Sequence, residues 1–456
     1  MPGSTSVNPA VNITDLIDSN PIRGFQIGIF VLCALVALLD GVDTQSIGVA
    51  APFIAENLGI PVTSFGPIFS SALLGAMLGA LTFGPLADRF GRKVMLIIAT
   101  LVFAIFTLAT PFSDSVGTLM ACRLLAGIGL GGATPCFIAL TSEYTPVSKR
   151  AMVVTAQWAA FPLGGMLGGL LNSYVVATFG WRAIFYIGGI APLVLSVLLA
   201  WLLPESLRFL LAKRSGATAQ VGRITAALFG KALPAGVQIT SSEEKLGGLS
   251  VKHLFMENRG LTTVLLWVPF FIGFGILAVV TLWTPALLRQ HGISASSTAF
   301  VIAFNGLGAI FGQGFAGRLL SQFGPVRTLV PAFIAGAACT AALGYATTSV
   351  AGSATFVGLV GLFLGMGTGG AIALAAMAYP TAIRSTGVGW AMGMGRFGQT
   401  LYPLASGSML GWGWGTDGML NTIGGSGLIA ALFVVLLHLR MQQIQRLHLP
   451  ATAAAT

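Results

Sequence analysis

The chain has 456 residues, of which 55% are hydrophobic and only 8% are charged. A soluble protein is roughly 25% charged, so a string of ordinary soluble domains is excluded. The formal net charge of +10 does not indicate a nucleic-acid partner, because the basic residues lie between apolar segments and form no single patch. The composition therefore predicts an all-α polytopic membrane protein that has the lipid bilayer as its surroundings.

Apolar segments long enough to cross a bilayer as a helix recur along the whole chain. They number twelve and lie at about 26–51, 65–87, 93–111, 117–142, 151–177, 182–203, 261–288, 294–320, 326–346, 352–379, 385–411 and 419–440. One long polar stretch, 204–259, divides them into six and six. We predict two pseudo-symmetric six-helix bundles, at 25–203 and 260–441. The remaining tails cover 1–24 and 442–456.

The positive residues predict the orientation of these spans. If both termini are cytoplasmic, nineteen of the 23 Lys and Arg residues lie on the cytoplasmic side, and only Arg182 and Arg289 lie outside. Arg123 and Arg396 remain within the spans. Because cytoplasmic loops carry an excess of Lys and Arg, we expect a multi-pass protein of the plasma (inner) membrane with a cytoplasmic central loop.

The two halves resemble each other in sequence. The segment "GAMLGALTFGPLADRFG" (75–91) matches "GAIFGQGFAGRLLSQFG" (308–324), and "GIGLGG" (127–132) matches "GMGTGG" (365–370). These glycines lie inside spans, so they predict close helix packing and not a dinucleotide site, which needs a preceding strand. A duplicated six-helix unit predicts a transporter. No P-loop, HExxH or GxSxG motif occurs, so we expect no enzyme activity, no cofactor and no metal.

A ten-residue motif follows the second span. It reads "GPLADRFGRK" (84–93) and resembles the signature loop of the major facilitator superfamily, with which the twelve-span layout agrees. In that superfamily the loop acts as a latch between outward-open and inward-open states. The resemblance assigns this role to five residues: Gly84, Asp88, Arg89, Gly91 and Arg92. "RLLAGIGLGG" (123–132) also resembles the fourth-span pattern, whose arginine the superfamily ties to proton coupling.

The motif "DGVD" (40–43) in the first span, together with "YPTAIRSTGVGWAMGMGRFG" (379–398), resembles the aromatic acid:proton symporter family within this superfamily. The resemblance implies uptake of a benzoate-, hydroxybenzoate- or phenylpropionate-type anion together with protons. A drug or organic-ion:proton antiporter of the same fold is the alternative. A transporter-like sensor is a further alternative, although the central loop leaves little room for an added domain.

Charged residues inside the spans are the candidates for proton coupling, because such residues are costly there and normally face a cavity. Asp40 and Asp43 share one helix face, and Arg123 lies at a similar depth, so a carboxylate–guanidinium pair is expected. A static ion pair is the alternative. The four histidines, His253, His291, His438 and His448, lie in loops or near the end of the chain, so we expect the carboxylates to carry the proton. Glu143 is a further candidate, or else a surface partner of Lys149 or Arg150.

Arginine suits a substrate carboxylate because its planar fork donates two parallel hydrogen bonds. We therefore expect Arg123 and Arg396 to bind the anion. Aromatic residues predicted to stack on the substrate ring are Trp158, Phe161, Trp283 and Tyr379, with simple core or lipid packing as the alternative for each. The expected partners are the aromatic anion and protons, with no nucleic acid and no obligatory protein partner.

Overall fold

The structure is a computed structural model. It describes residues 10–212, 218–229, 238–240, 252–256, 259–379 and 384–448. Within these ranges, ten helices are long and apolar enough to cross a membrane. One of the ten contains two spans, and the helix Arg384–Gly411 adds another. The described chain therefore contains the twelve predicted spans, and the prediction of a twelve-helix membrane protein is confirmed.

The first bundle consists of helices α1 to α6. Their bounds are Gly24–Leu58 (α1), Phe65–Phe90 (α2), Arg92–Ala109 (α3), Val116–Glu143 (α4), Val147–Trp158 with Ala160–Phe179 (α5) and Trp181–Leu202 (α6). The prediction for α1 was too short, since this helix continues past residue 51 despite Pro52. The helix is long because its apolar composition continues beyond that proline, and it ends at Gly59, which has φ +63°.

The second bundle consists of helices α7 to α12. Their bounds are Gly260–Gln290 (α7), Ala295–Ala346 (α8 and α9, separated at Gly324), Val350–Ala378 (α10), Arg384–Gly411 (α11) and Thr416–His448 (α12). Gly324 has φ +79°, a left-handed conformation that favours glycine. The final helix runs beyond 441, where the sequence-based boundary placed the C-terminal tail.

Two ends of the molecule are distinguished below. The termini end carries residues 10–20, the α2–α3 turn at Gly91 and the described parts of the segment that links the bundles. The far end carries the turns at Gly59, Gly180, Gly292 and Gly413, all of which have positive φ. Exposed tryptophans mark both ends, with Trp201 and Trp390 at the termini end and Trp412 and Trp414 at the far end, as expected at bilayer interfaces.

Glycines at equivalent places pack the same helix pair in each half. A Cβ on Gly79 would meet the Gly132 nitrogen at 2.7 Å, and one on Gly312 would meet the Met366 nitrogen at 2.8 Å. Both contacts bring the second helix of a half onto its fourth. The sequence repeat is therefore also a structural repeat, and its GxGxxG runs serve close helix approach.

Segments outside the spans cover the termini end of the first bundle. Strand β1 (Ala10–Asn12) pairs in parallel with β2 (Gln238–Thr240), which adds a small sheet to a fold predicted to be all-α. The short helix Ile13–Asp18 and the central-loop helix Thr218–Phe229 place their apolar residues in the first-bundle core. The N-terminal tail and the central loop are polar overall, but each contains a short helix whose apolar residues are buried.

Candidate functional site

The two bundles touch at the far end, through small residues. A Cβ on Gly48 of α1 would lie 3.0 Å from the Thr281 carbonyl oxygen of α7, and one on Gly169 of α5 would lie 2.8 Å from the nitrogen of Ala303 on α8. The Ser70 hydroxyl of α2 donates to the Thr400 carbonyl of α11 at 2.7 Å. These contacts close the far end between the halves.

Two charged residues lie on helices that take part in this closure. Asp40 lies two turns before Gly48 on α1, and Arg396 lies one turn before Thr400 on α11, so both lie on the inner side of the far-end closure. Asp40 is 8% exposed, and Arg396 acts on it electrostatically. In the described residues the two form no ion pair, and Arg396 Nη1 donates to Gln399 Oε1 at 3.3 Å. An acid and a base from different halves therefore face each other without direct contact.

Asp43 and Arg123 form the ion pair that the sequence predicted, inside the first bundle. Arg123 Nη1 donates to both Asp43 carboxylate oxygens at 3.4 Å. Its Nη2 donates to Thr110 at 2.6 Å and to Thr107 at 3.3 Å. The guanidinium stands 5.2 Å from the centre of the Phe185 ring. Since Arg123 is only 1% exposed, a substrate cannot reach it in this conformation.

The two carboxylates of the DGVD motif thus have different surroundings. Asp43 pairs with Arg123 inside the first bundle, whereas Asp40 has no ion-pair partner among the described residues and interacts electrostatically with Arg396 of the second bundle. The sequence placed both on one face, but a separation of three residues turns them about 60° apart around the helix. That angle is enough to give one residue a fixed partner and the other a partner across the domain interface.

The four predicted aromatic residues lie in different places. Trp283 is completely buried in the far-end closure, where it packs edge-on against Phe69 and its Nε1 donates to the Pro403 carbonyl at 3.2 Å. Tyr379 is 2% exposed at the termini end, with its hydroxyl 3.2 Å from that of Thr263. Trp158 and Phe161 are half-buried on α5. A direct substrate contact for Trp283 or Tyr379 is not available in this conformation.

Glu143 lies about 30 Å from Arg123, since twenty residues of α4 separate them. Among the residues that the structure describes, Glu143 forms no ion pair with Lys149 or Arg150, so the surface pairing offered as an alternative is replaced by a different partner. Its carboxylate pairs with Arg92 and accepts a hydrogen bond from Ser206 at 2.5 Å. This places Glu143 in the termini-end cluster around the α2–α3 turn, far from the proton-coupling candidates.

The motif residues 84–93 surround that cluster. Gly91 has φ +105°, and a Cβ on it would lie 2.5 Å from a Glu205 carboxylate oxygen, so both conformation and space require glycine. Asp88 is exposed and pairs with Arg92 at 3.4 Å. Arg89 lies over the Phe90 ring, while a Cβ on Gly84 would make only an ordinary contact, 3.9 Å from the Pro135 Cβ.

Sequence reasoning gave no role to the residues that complete this cluster. Glu205 Oε1 accepts from the Lys93 backbone N–H at 3.0 Å, and its own carbonyl accepts from the Tyr144 hydroxyl at 2.6 Å. The signal was present in "PESLRF" (204–209), where a buried acid and Ser206 precede the short helix Leu207–Ala212. The segments 84–93 and 204–209 are more than 110 residues apart, so the sequence alone does not show that Glu205 contacts Lys93.

Two helical bundles that meet at one end, with charged residues facing each other between them, define a membrane transporter and not an enzyme. Residues 33–371 match the family model described as Major Facilitator Superfamily. The chain is 35% identical to the 4-hydroxybenzoate transporter PcaK of Pseudomonas aeruginosa, over 91% of this chain and 94% of that protein. It is also 35% identical to the gallate transporter of Pseudomonas putida, over 94% and 95% of the two chains.

The fold is similar to the crystal structure of D-xylose-proton symporter, with a TM-score of 0.71 and 21% identity over 90% of this chain and 97% of that one. At this identity the likeness concerns the fold alone. The chain belongs to the Major Facilitator Superfamily and, within it, to the aromatic acid:proton symporter family. The recognition made from "GPLADRFGRK" and "DGVD" is confirmed.

Proposed function

We propose that this protein imports a small aromatic carboxylate together with protons across the plasma membrane, with both termini in the cytoplasm. The observation that carries the proposal is the electrostatic interaction between Asp40 of the first half and Arg396 of the second half, which form no ion pair among the described residues. Arg396 has no ion-pair partner among the described residues, so its guanidinium can bind a substrate carboxylate. The buried carboxyl group of Asp40 beside it can bind a proton. The two relatives, named as transporters of 4-hydroxybenzoate and gallate, support an aromatic substrate.

Substrate and proton binding are coupled through Arg396. Before substrate binds, the Arg396 charge favours the ionised form of Asp40, because an opposite charge nearby stabilises a carboxylate. The substrate carboxylate binds the Arg396 guanidinium through two parallel hydrogen bonds. Asp40 then loses its counter-charge and binds a proton, so the loaded site stays neutral when the halves reorient, whereas without the proton it would carry one negative charge. Arg123 takes no part in substrate binding, because Asp43 and two threonines already hold it.

Reorientation closes the termini end and opens the far end. The carboxylate of Asp88 is 71% exposed and pairs with Arg92 at 3.4 Å, and it can exchange this partner for one in the second half when the termini end closes. The network of Arg92, Glu143, Ser206 and Glu205 holds the turn in place behind it. We assign the latch role to the 84–93 motif, and the contacts of Glu143 with Arg92 and Ser206 support grouping Glu143 with the latch, outside the proton path.

The test is uptake of labelled benzoate-type acids into proteoliposomes. An acidic outside should accelerate uptake by the parent protein, and a protonophore should abolish accumulation. Asp40→Asn should lose accumulation but keep exchange of labelled for unlabelled substrate, because exchange moves no net proton. Asp43→Asn is the matched variant, and it should lower thermal stability by leaving Arg123 buried without its counter-ion. Accumulation by Asp40→Asn at the parent rate would refute the assignment of the proton to Asp40.

A further inference from the structure

Two buried tyrosines occupy equivalent places in the two halves. Tyr144 directly follows α4, which ends at Glu143, and Tyr379 directly follows α10, which ends at Ala378. In each half this is the fourth of the six helices. Tyr144 is 0% exposed and Tyr379 is 2% exposed. A buried tyrosine hydroxyl usually has a hydrogen-bond partner, and in both halves that partner leads to the segment that links the bundles.

Tyr144 holds the start of the linking segment. Its hydroxyl donates to the Glu205 carbonyl at 2.6 Å, three residues beyond the end of α6. Its own carbonyl accepts from Gln26 Nε2, in the first turn of α1, at 2.7 Å. The Glu205 carboxylate in turn accepts from the Lys93 backbone N–H. Tyr144 therefore connects the start of the linking segment to α1 and α4, beside the turn that carries the 84–93 motif.

Tyr379 holds the end of the linking segment. Its hydroxyl donates to Thr263 Oγ1 at 3.2 Å, and the Thr263 hydroxyl donates to the Leu254 carbonyl at 2.8 Å. Thr263 lies in the first turn of α7 and Leu254 lies in the short helix Lys252–Phe255, and both are 0% exposed. A Cβ on Gly387 of α11 would lie 2.6 Å from the Tyr379 Cγ. The ring is therefore enclosed by the second half while its hydroxyl holds the linking segment.

The chain passes from one half to the other only through this segment, since α6 ends at Leu202 and α7 begins at Gly260. When one half rocks against the other, the distance between the two anchored points changes. We propose that Tyr144 and Tyr379 are positioning residues for transport, which fix the two ends of the linking segment so that the residues between them accommodate this change. The inference rests on the proposed function, because it assumes that the halves reorient during uptake.

Loss of either anchor should slow reorientation. Without the Tyr144 hydroxyl, the buried Glu205 carbonyl is unpaired, so the segment around it opens more often. The Glu205 carboxylate then supports the Lys93 N–H less firmly, and the turn with the 84–93 motif loses its fixed position. In the second half, loss of the Tyr379 hydroxyl loosens the chain of hydrogen bonds that joins Leu254 to α7.

Substrate affinity should stay the same, because both anchors lie far from the charged pair. Gln26, the partner of Tyr144, lies 14 residues before Asp40 on α1, which is about 21 Å along the helix. Gly387, which contacts the Tyr379 ring, lies nine residues before Arg396 on α11, or about 13 Å. The anchors therefore predict a change in kcat without a change in KM, which a substrate-binding role of Tyr379 would not give.

The test measures kcat and KM for uptake of labelled 4-hydroxybenzoate into proteoliposomes, together with hydrogen exchange of the same purified proteins. Tyr144→Phe and Tyr379→Phe each remove one hydroxyl and keep the ring. Each should lower kcat by about 2- to 10-fold, the factor that corresponds to one lost hydrogen bond, with KM unchanged. Exchange should become faster at residues 203–206 in the first variant and at residues 252–256 in the second.

Two kinds of control accompany these variants. Thr263→Val removes the hydroxyl between Tyr379 and Leu254, so it should have the effect of Tyr379→Phe, with no further loss when the two are combined. Thr263→Ser keeps the hydroxyl and should behave like the parent. Tyr174→Phe removes a tyrosine hydroxyl from a residue on α5 that is 65% exposed, and it should leave kcat unchanged.

A higher KM with unchanged kcat in Tyr379→Phe would return Tyr379 to the substrate site and overturn the inference. An unchanged kcat in either Tyr144→Phe or Tyr379→Phe, or an equal decrease in Tyr174→Phe, would also overturn it. Failure of the proposed function gives a different result, namely no uptake of 4-hydroxybenzoate or benzoate by the parent. Hydrogen exchange then decides, because exchange that is unchanged at both segments would still refute the anchors.

Discussion

Valine in place of Gly407 should hold the far end open. A Cβ at this position would lie 3.0 Å from the Gly66 Cα, 3.1 Å from the Thr63 carbonyl oxygen and 3.2 Å from the Trp283 ring. The first two contacts are with backbone of the opposite half, which cannot move aside as a flexible side chain can. Added methyl groups in a close-packed site cost about 1–3 kcal/mol, and this cost falls only on the far-end-closed conformation.

A tenfold change corresponds to about 1.4 kcal/mol, so Gly407→Val should shift the equilibrium towards far-end opening by roughly 5- to 150-fold. Gly411→Val is the matched control, because this glycine lies one turn along the same helix and a Cβ there would meet nothing within 4 Å. Hydrogen exchange should become faster at the far ends of α2 and α11 in Gly407→Val alone, and net uptake should slow. Equal exchange and uptake in the two variants would refute the close-approach argument.

Two further substitutions test the buried charges. Arg123→Lys keeps the charge but loses the planar fork that reaches Asp43 and two threonines, so it should lower stability by about 2 kcal/mol, seen as a lower melting temperature in detergent. An unchanged melting temperature would contradict the structural role. Glu143→Gln leaves Arg92 without its buried counter-ion and should slow net uptake with substrate affinity unchanged. A change in affinity alone would move Glu143 back towards the substrate site.

The fold was largely predictable because its signals are local or repeated. Apolar length gives the spans, and the repeated glycines identify the second and fourth helices of each half. The Asp43–Arg123 pair followed from depth alone. What depth does not give is rotation about the helix axis, and this is why Asp40 and Asp43 were treated as equivalent although only Asp40 faces Arg396.

Residues that depend on contacts between distant segments were placed less well. Trp283 was predicted to bind substrate because an aromatic residue in a span can line a cavity, yet packing against Phe69 and Pro403 places it in the closure. Glu143 was grouped with the proton carriers because it is acidic and ends a span. Its actual partners are Arg92, at the start of α3, and Ser206, in the segment after α6. A pattern within one segment cannot show that the end of α4 contacts both of these segments.

The far end also contains a charged contact between the halves, which gives a last prediction. The Arg289 guanidinium of α7 stands 5.1 Å from the centre of the Phe53 ring of α1. Such contacts contribute about 0.5–2 kcal/mol, and this one exists only while the far end is closed. Phe53→Leu should therefore raise the far-end-open population by about 2- to 30-fold.

A larger open population lowers the apparent dissociation constant for substrate added outside, because apparent affinity scales with the competent fraction. Phe53→Tyr keeps the ring face and should behave like the parent. Trp181→Leu removes a comparable contact with Arg182, 4.7 Å from the ring, but within one half, so it should leave the external dissociation constant unchanged. If Trp181→Leu lowers that constant as much as Phe53→Leu does, loss of the ring acts through general loosening of the far end, and the contact between the halves is not the cause.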